Sequence, residues 1–319
     1  MGNHPFNVIV ILFWLATMTW LVVVKVVPPL RVGEPPSYSS ILKNQDQVER
    51  PTCWSVRLND QPIGWAATKA VRREDGITEL FSRVYLRDLP LDEFAPPWLA
   101  DLLKPLLGQF GPLDVDKRSL LTIDPLGRLV GLETKVRVAD IPDAIKVHGQ
   151  VEGSALTLTV LSGGVSHKLE QYLPPDALMT DELSPQASMP GLRVGQTWTV
   201  PLYSPFRSPS SPMEILQAAV EPGGKITWDA RRINSRVIVY RNDPGSGLIG
   251  NETRGRVWVG DDGLVLRQEI SVFRSRVHFV RLGEGQAEGI VRALDPDWMS
   301  SLSRRKAARL LQEVQELDE

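Results

Sequence analysis

Residues 119–138 read SLLTIDPLGRLVGLETKVRV. Leu121 and Ile123 lead into Asp124-Pro125-Leu126-Gly127, a run of turn residues, and Leu129 to Val138 returns. Two apolar-bearing runs about a Pro- and Gly-containing turn specify a β-hairpin. An amphipathic helix would instead repeat its apolar residues at three- and four-residue spacing. This stretch sets the class, and most of the chain follows the same rule on either side of it.

Toward the N-terminus, Trp54-Ser55-Val56-Arg57-Leu58 alternates apolar and polar residues, the mark of a half-buried strand. Asn59 to Gly64 supplies turn residues, Trp65 to Val71 returns, and Ile77 to Leu86 follows the turn at Asp75-Gly76. Toward the C-terminus, Val147–Val151 and Ala155–Leu161 pair around Gly153, and Ser166–Leu173 closes a first set. Pro174 to Pro190 is polar and proline-bearing and reads as an internal boundary. A second set opens at Trp198-Thr199-Val200-Pro201-Leu202, followed by a Pro- and Ser-rich loop, Ser204–Pro212. Its strands are expected at Glu214–Val220, Lys225–Arg231 and Arg236–Arg241, then as a hairpin around Gly260-Asp261-Asp262-Gly263. Alternation continues over Ser271–Leu282.

Three segments break this pattern. Phe6–Val27 is an apolar run of the length that spans a bilayer core, about 20 residues. Lys25 lies near its end and Pro28-Pro29 stop it. A cleaved signal peptide is the rival, but the run is long, lacks flanking N-terminal cations and shows no A-x-A-like cleavage site. Leu91–Phe110 carries Trp98, Leu99, Leu102, Leu103, Leu106, Leu107 and Phe110 at helical spacing. Asp295-Pro296 begins a last helix with a basic middle and an acidic end, either a solvated tail or a docking helix.

The chain has 319 residues, net charge −2 and one cysteine. Near-neutral charge argues against nucleic acid as a partner, and a single cysteine excludes an intrachain disulfide. Cys53 reads as a small buried apolar residue. The expected fold is α+β, mainly antiparallel β: a curved sheet or half-barrel, or two related sheets, with an N-terminal transmembrane helix and a C-terminal helix. The expected division is anchor 1–27, Pro/Ser-rich linker 28–51, β-rich domain 52–290 and amphipathic helix 291–319.

Two candidate repeats, 52–180 and 190–290, lie within that domain. Trp54-Ser55-Val56-Arg57-Leu58 matches Trp198-Thr199-Val200-Pro201-Leu202, and Ile123, Gly127, Leu129 and Glu133 align without gaps with Val259, Gly263, Val265 and Glu269. The hairpin forms D-P-L-G-R-L-V-G-L-E-T and G-D-D-G-L-V-L-R-Q-E-I resemble a pattern in bacterial envelope domains. Similar forms occur in lipoprotein-carrier (LolA-like) half-barrels and in uncharacterised β-rich domains beside transglutaminase-like proteins. The resemblance implies a curved sheet around an apolar helix-bearing lid. It makes Trp98, Leu102, Leu103, Leu106, Leu107 and Phe110 a candidate lid or apolar ligand face.

No H-E-x-x-H, G-x-S-x-G or Walker A pattern occurs, and His4, His148, His167 and His278 are scattered. No catalytic, metal or cofactor site is expected. Arg274, Arg276 and His278 share one strand phase, and Arg254 and Arg256 are in phase on the preceding hairpin. If those strands pair, a basic stripe results: either a solvated sheet face, or a site for phosphate headgroups or an acidic partner. The reading is a single-pass inner-membrane protein whose extracytoplasmic β-domain binds a partner protein or an apolar ligand. A lipid-handling half-barrel and an envelope hydrolase are the alternatives.

Overall fold

A computed structural model describes residues 4–23, 36–43, 50–89, 113–173, 178–181, 183–204, 212–242, 252–272 and 275–294. The alternating segments form β1 (Thr52–Leu58), β2 (Gln61–Arg72), β3 (Thr78–Leu89), β4 (Leu113–Ile123), β5 (Leu129–Val138), β6 (Ile141–Glu152), β7 (Ala155–Ser162) and β8 (Val165–Tyr172). The second set is β9 (Thr180–Asp181), β10 (Thr197–Tyr203), β11 (Met213–Trp228), β12 (Arg231–Asn242), β13 (Thr253–Gly260), β14 (Val265–Val272) and β15 (Ser275–Arg281). All join one 15-stranded sheet in the order β8 through β1, then β15 down to β9. Pairing is antiparallel except between β9 and β10. Each set is a meander, and the seam between them joins β1 to β15, with Val56 opposite Phe279.

Turn chemistry explains where the expected strands shift. Asn59 and Asp60 take left-handed backbone angles (φ 46° and 70°), so two residues close the β1–β2 turn and Pro62 falls inside β2 at a bulge. Pro222-Gly223-Gly224 bends the single long strand β11 as a bulge, and the chain reverses later, at Asp229-Ala230. The stretch expected as one strand over Ser271–Leu282 divides into the end of β14 and β15, with Val272 opposite Ser275.

The ends of the sheet are close together. Fourteen inter-strand spacings of about 4.8 Å would put β8 roughly 67 Å from β9 in a flat sheet. Only eight peptide steps separate Tyr172 from Thr180, at most about 29 Å of chain. The sheet is therefore strongly curved, a single sheet and not two. Its concave face is apolar, with Trp54, Val84, Leu132, Ile145, Leu158, Val200, Val257 and Phe279 in one buried cluster. The same cluster takes in Leu178, Met179, Leu183, Met189 and Leu192, so the segment that connects the two sets is a strap packed into the core. Within the stretch expected as a linker, α2 (Tyr38–Lys43) buries Tyr38, Ile41 and Leu42 in that cluster too.

The two meanders put corresponding residues at corresponding places. Trp54 and Trp198 stand on the opening strands, opposite Ala66 and Ala218. Ile123 pairs with Leu129 as Val259 pairs with Val265, each beside a bulge. Glu133 faces His148 and Glu269 faces His278. Gly127 and Gly263 both have φ near +80° and both receive an interior segment. A Cβ would lie 2.8 Å from Ser39 at the first and 2.9 Å from Pro190 at the second.

The helices differ from expectation. α1 (His4–Leu21) is 18 residues, about 27 Å, and covers the first part of the expected Phe6–Val27 span. Among the described residues no helix is long and apolar enough to cross a membrane, and residues 24–27 of the expected span lie outside them. Its apolar side chains are exposed on all sides, from Met18 at 42% to Phe13 at 73%. α3 (Glu284–Ala293) lies in what was expected to be the end of the β-domain. It sets Ala287 and Ile290 on the convex face against Cys53, Ala67, Phe81 and Leu120. The helices expected over 91–110 and from Asp295 fall outside the described residues, apart from Leu294 and the α3 residues before it.

Candidate ligand crevice

On the concave side, direct cross-strand neighbours form a row of hydroxyls: Thr68 on β2, Ser82 on β3, Ser119 on β4 and Thr134 on β5. Such neighbours share a face, with Cβ atoms about 5 Å apart. All four are buried, between 2% and 6% exposed. One half of the row is used. Ser119 shares a 3.1 Å hydrogen bond with Thr134 and donates to Asp181 Oδ2 at 2.9 Å. The other half is not, since Thr68 Oγ1 and Ser82 Oγ have no hydrogen-bond partner among the described residues. Leaving a buried hydroxyl unmet costs roughly 1–3 kcal/mol, so two adjacent ones call for an explanation.

Asp181 ties the strap to this row. Lys117 Nζ contacts Asp181 Oδ2 at 2.5 Å and Ser184 Oγ at 3.0 Å, and Ser184 Oγ donates to the same carboxylate at 3.0 Å. Lys117 and Asp181 are 1% and 4% exposed in their side chains, a buried ion pair. Farther along, Gln186 N donates to Gln268 Oε1 and Arg281 donates to Ala187 O at 2.9 Å. Tyr38 Oη donates to Met179 O at 2.7 Å, which locks α2 onto the strap, and burial pushes that phenol above its ordinary range.

A crevice runs between β2–β4 on one side and α2 with the strap on the other. Ile41, Leu42, Leu80, Leu121, Leu178 and Met179 supply its apolar walls, and Thr68, Ser82, Ser119 and Asp181 its polar end. The crevice is partly open to solvent and its void is about 60 Å³. A second crevice lies across the strap, sharing Asp181, Ser184 and Gln186 and lined by Leu202, Leu216, Tyr240 and Ile270.

The candidate basic stripe divides. Arg254 pairs with Glu214 at 3.3 Å and lines the second crevice. Arg256, Arg276 and His278 surround Glu269 at 3.6, 3.9 and 3.6 Å, and Arg267 joins them at 3.9 Å. Burial, then Arg267, lower the His278 pKa, so the ring is neutral near pH 7. Glu269 thus offsets one of the three arginine charges around it. Its alternation with Arg267 on the intervening strand was the available signal. Arg274 and the six lid residues Trp98, Leu102, Leu103, Leu106, Leu107 and Phe110 lie outside the described residues. Cys53 is buried, and its thiol is pushed up to about 11 by that burial. The acids of the Gly260–Gly263 turn are engaged: Asp261 with Arg236, and Asp262 with the Leu264 amide.

No protein-family model matches the sequence, and no curated protein matches it. Among solved structures, the chain is distantly similar to a β-barrel-like protein of unknown function, DUF1849, from Brucella abortus. That likeness has 10% identity and a TM-score of 0.43, over 73% of this chain and 94% of the other. A DUF1089 family protein from Pseudomonas aeruginosa matches at 17% identity and TM-score 0.33, over 64% of this chain and 88% of the other. The hypothetical lipoprotein YmcC from Escherichia coli matches at 12% identity and TM-score 0.29, over 78% and 98%.

Proposed function

We propose that this protein is a membrane-tethered, non-enzymatic binding module of the bacterial envelope. Its extracytoplasmic curved sheet takes an apolar ligand in the crevice between β2–β4 and the strap. The crevice carries the reading: apolar walls converge on a few fixed polar groups, the usual build of a ligand site. Tethering rests on α1, whose exposed apolar surface is costly in water, and on the apolar run that continues to Val27 in the sequence. The hairpin resemblance to lipoprotein carriers agrees with an apolar ligand, but a tethered domain would hold its ligand near one membrane instead of shuttling it. A protein partner is the second reading, favoured by the edge strand β8, where Val165 and Tyr172 are 54% and 74% exposed.

The test is purification of the full chain from detergent-solubilised membranes, followed by lipid mass spectrometry. Wild type is expected to retain a lipid at near-equal molar amount, and Leu121→Glu to lose at least about tenfold of it, a charge having entered an apolar wall. Equal lipid in both proteins, or none in either, removes the ligand reading. Release of the chain from membranes by alkaline carbonate removes the tether.

A further inference from the structure

We infer that the crevice receives the uncharged, hydrogen-bonding end of a monoacyl amphiphile, with the Thr68 and Ser82 hydroxyls as its partners. The inference rests on the reading above, that this crevice takes an apolar ligand. Thr68 and Ser82 are 5% and 6% exposed, adjacent across two strands, on the crevice lining and without hydrogen-bond partners among the described residues. The Gln186 side-chain oxygen, on the same lining, is also unmet. These groups can donate to and accept from an ester or a hydroxyl.

Charge selects the class of head group. Asp181 is matched by Lys117 at 2.5 Å, so the polar end carries no net charge of its own. A carboxylate head would sit beside Asp181, and an ammonium head would find that carboxylate already bound. A neutral head meets neither difficulty. Size agrees with the head group: the void of about 60 Å³ suits a few polar atoms, and the acyl chain would leave it along Ile41, Leu42, Leu80 and Leu121.

The experiment places the full chain in phospholipid nanodiscs with one of three photoreactive probes, each carrying a diazirine in a chain of equal length. These are a monoacylglycerol, a fatty acid and an alkane. Crosslinks are mapped by mass spectrometry to the peptides of β2–β4. The monoacylglycerol is expected to label them about tenfold more than the alkane or the fatty acid, the scale of two modest hydrogen bonds. In Thr68→Val with Ser82→Ala that preference should vanish while alkane labelling persists, and Thr68→Ser with Ser82→Thr should restore it. The double variant should melt no lower than wild type, because the hydroxyls it removes bond nothing in the fold. Equal labelling by all probes in wild type, or an undiminished preference in the double variant, overturns the inference and leaves the apolar-ligand reading standing. Such a result would assign the two hydroxyls to bound water. Absence of any label on β2–β4 overturns both.

Discussion

Glu133 shows how a single residue reports its surroundings. It stands on β5 opposite His148 and is 8% exposed, and one of its carboxyl oxygens has no partner. Burial first, with Glu79 adding and Lys135 opposing, lifts its pKa to about 7. Burial lowers that of His148. An unfolded glutamate titrates near 4.3. Between about pH 4.3 and 7 the folded chain keeps a proton that the unfolded chain releases, so stability falls as pH rises through that window and is level above it. His148 contributes the opposite slope below its ordinary range, so total stability blurs the effect and a variant isolates it. Glu133→Gln should match wild type in melting temperature at pH 4 and exceed it by a few degrees at pH 8. A lower melting temperature for the variant at pH 8 would mean that the ionised carboxylate has a favourable partner.

At the scale of elements, the strap is held by polar contacts that hydropathy does not display. Its charged tie is the buried Lys117–Asp181 pair, with Ser119 and Ser184 around it. Removing one member of a buried pair leaves an uncompensated charge and costs about 3–5 kcal/mol, whereas replacing both with apolar residues is often near neutral. Asp181→Ala is therefore expected to lose stability on that scale in urea unfolding, and Lys117→Met with Asp181→Leu to lose much less. Equal losses would show that the pair is not what fastens the strap. The sequence made most strands legible because period-2 alternation survives any tertiary context that buries one face. It hid the strap because Pro174 to Pro190 is polar and proline-bearing, and only its contacts bury Leu178, Met179, Leu183 and Met189. It hid α2 because six residues are too few for a helical period to register. Pro222-Gly223-Gly224 misled because the same residues serve a turn and a bulge, and only pairing with Ser235 and Arg236 decides between them. The hydroxyl row was hidden for a different reason. Thr68, Ser82, Ser119 and Thr134 are isolated in sequence and become a site only through strand register.

At the scale of the molecule, both meanders are built from neighbouring strands, and among the described strand pairs only the β1–β15 seam joins residues more than two hundred positions apart. Local meanders form early and distant pairings late. Phe279 is fully buried at that seam. Phe279→Ala should cost roughly 3–5 kcal/mol, and because it weakens the join between two separately patterned units, it should split one denaturation transition into two. A single cooperative transition, merely shifted, would show that the strap couples the halves as strongly as the seam does.

The short connection from Tyr172 to Thr180 has a mechanical meaning. The sheet is a bow and this connection is its string: the string's length sets how far the limbs can spread. Residues added there would slacken it and let the arc open, and residues removed would draw the limbs inward. The width of the space inside the arc is thus governed by the length of one short connection.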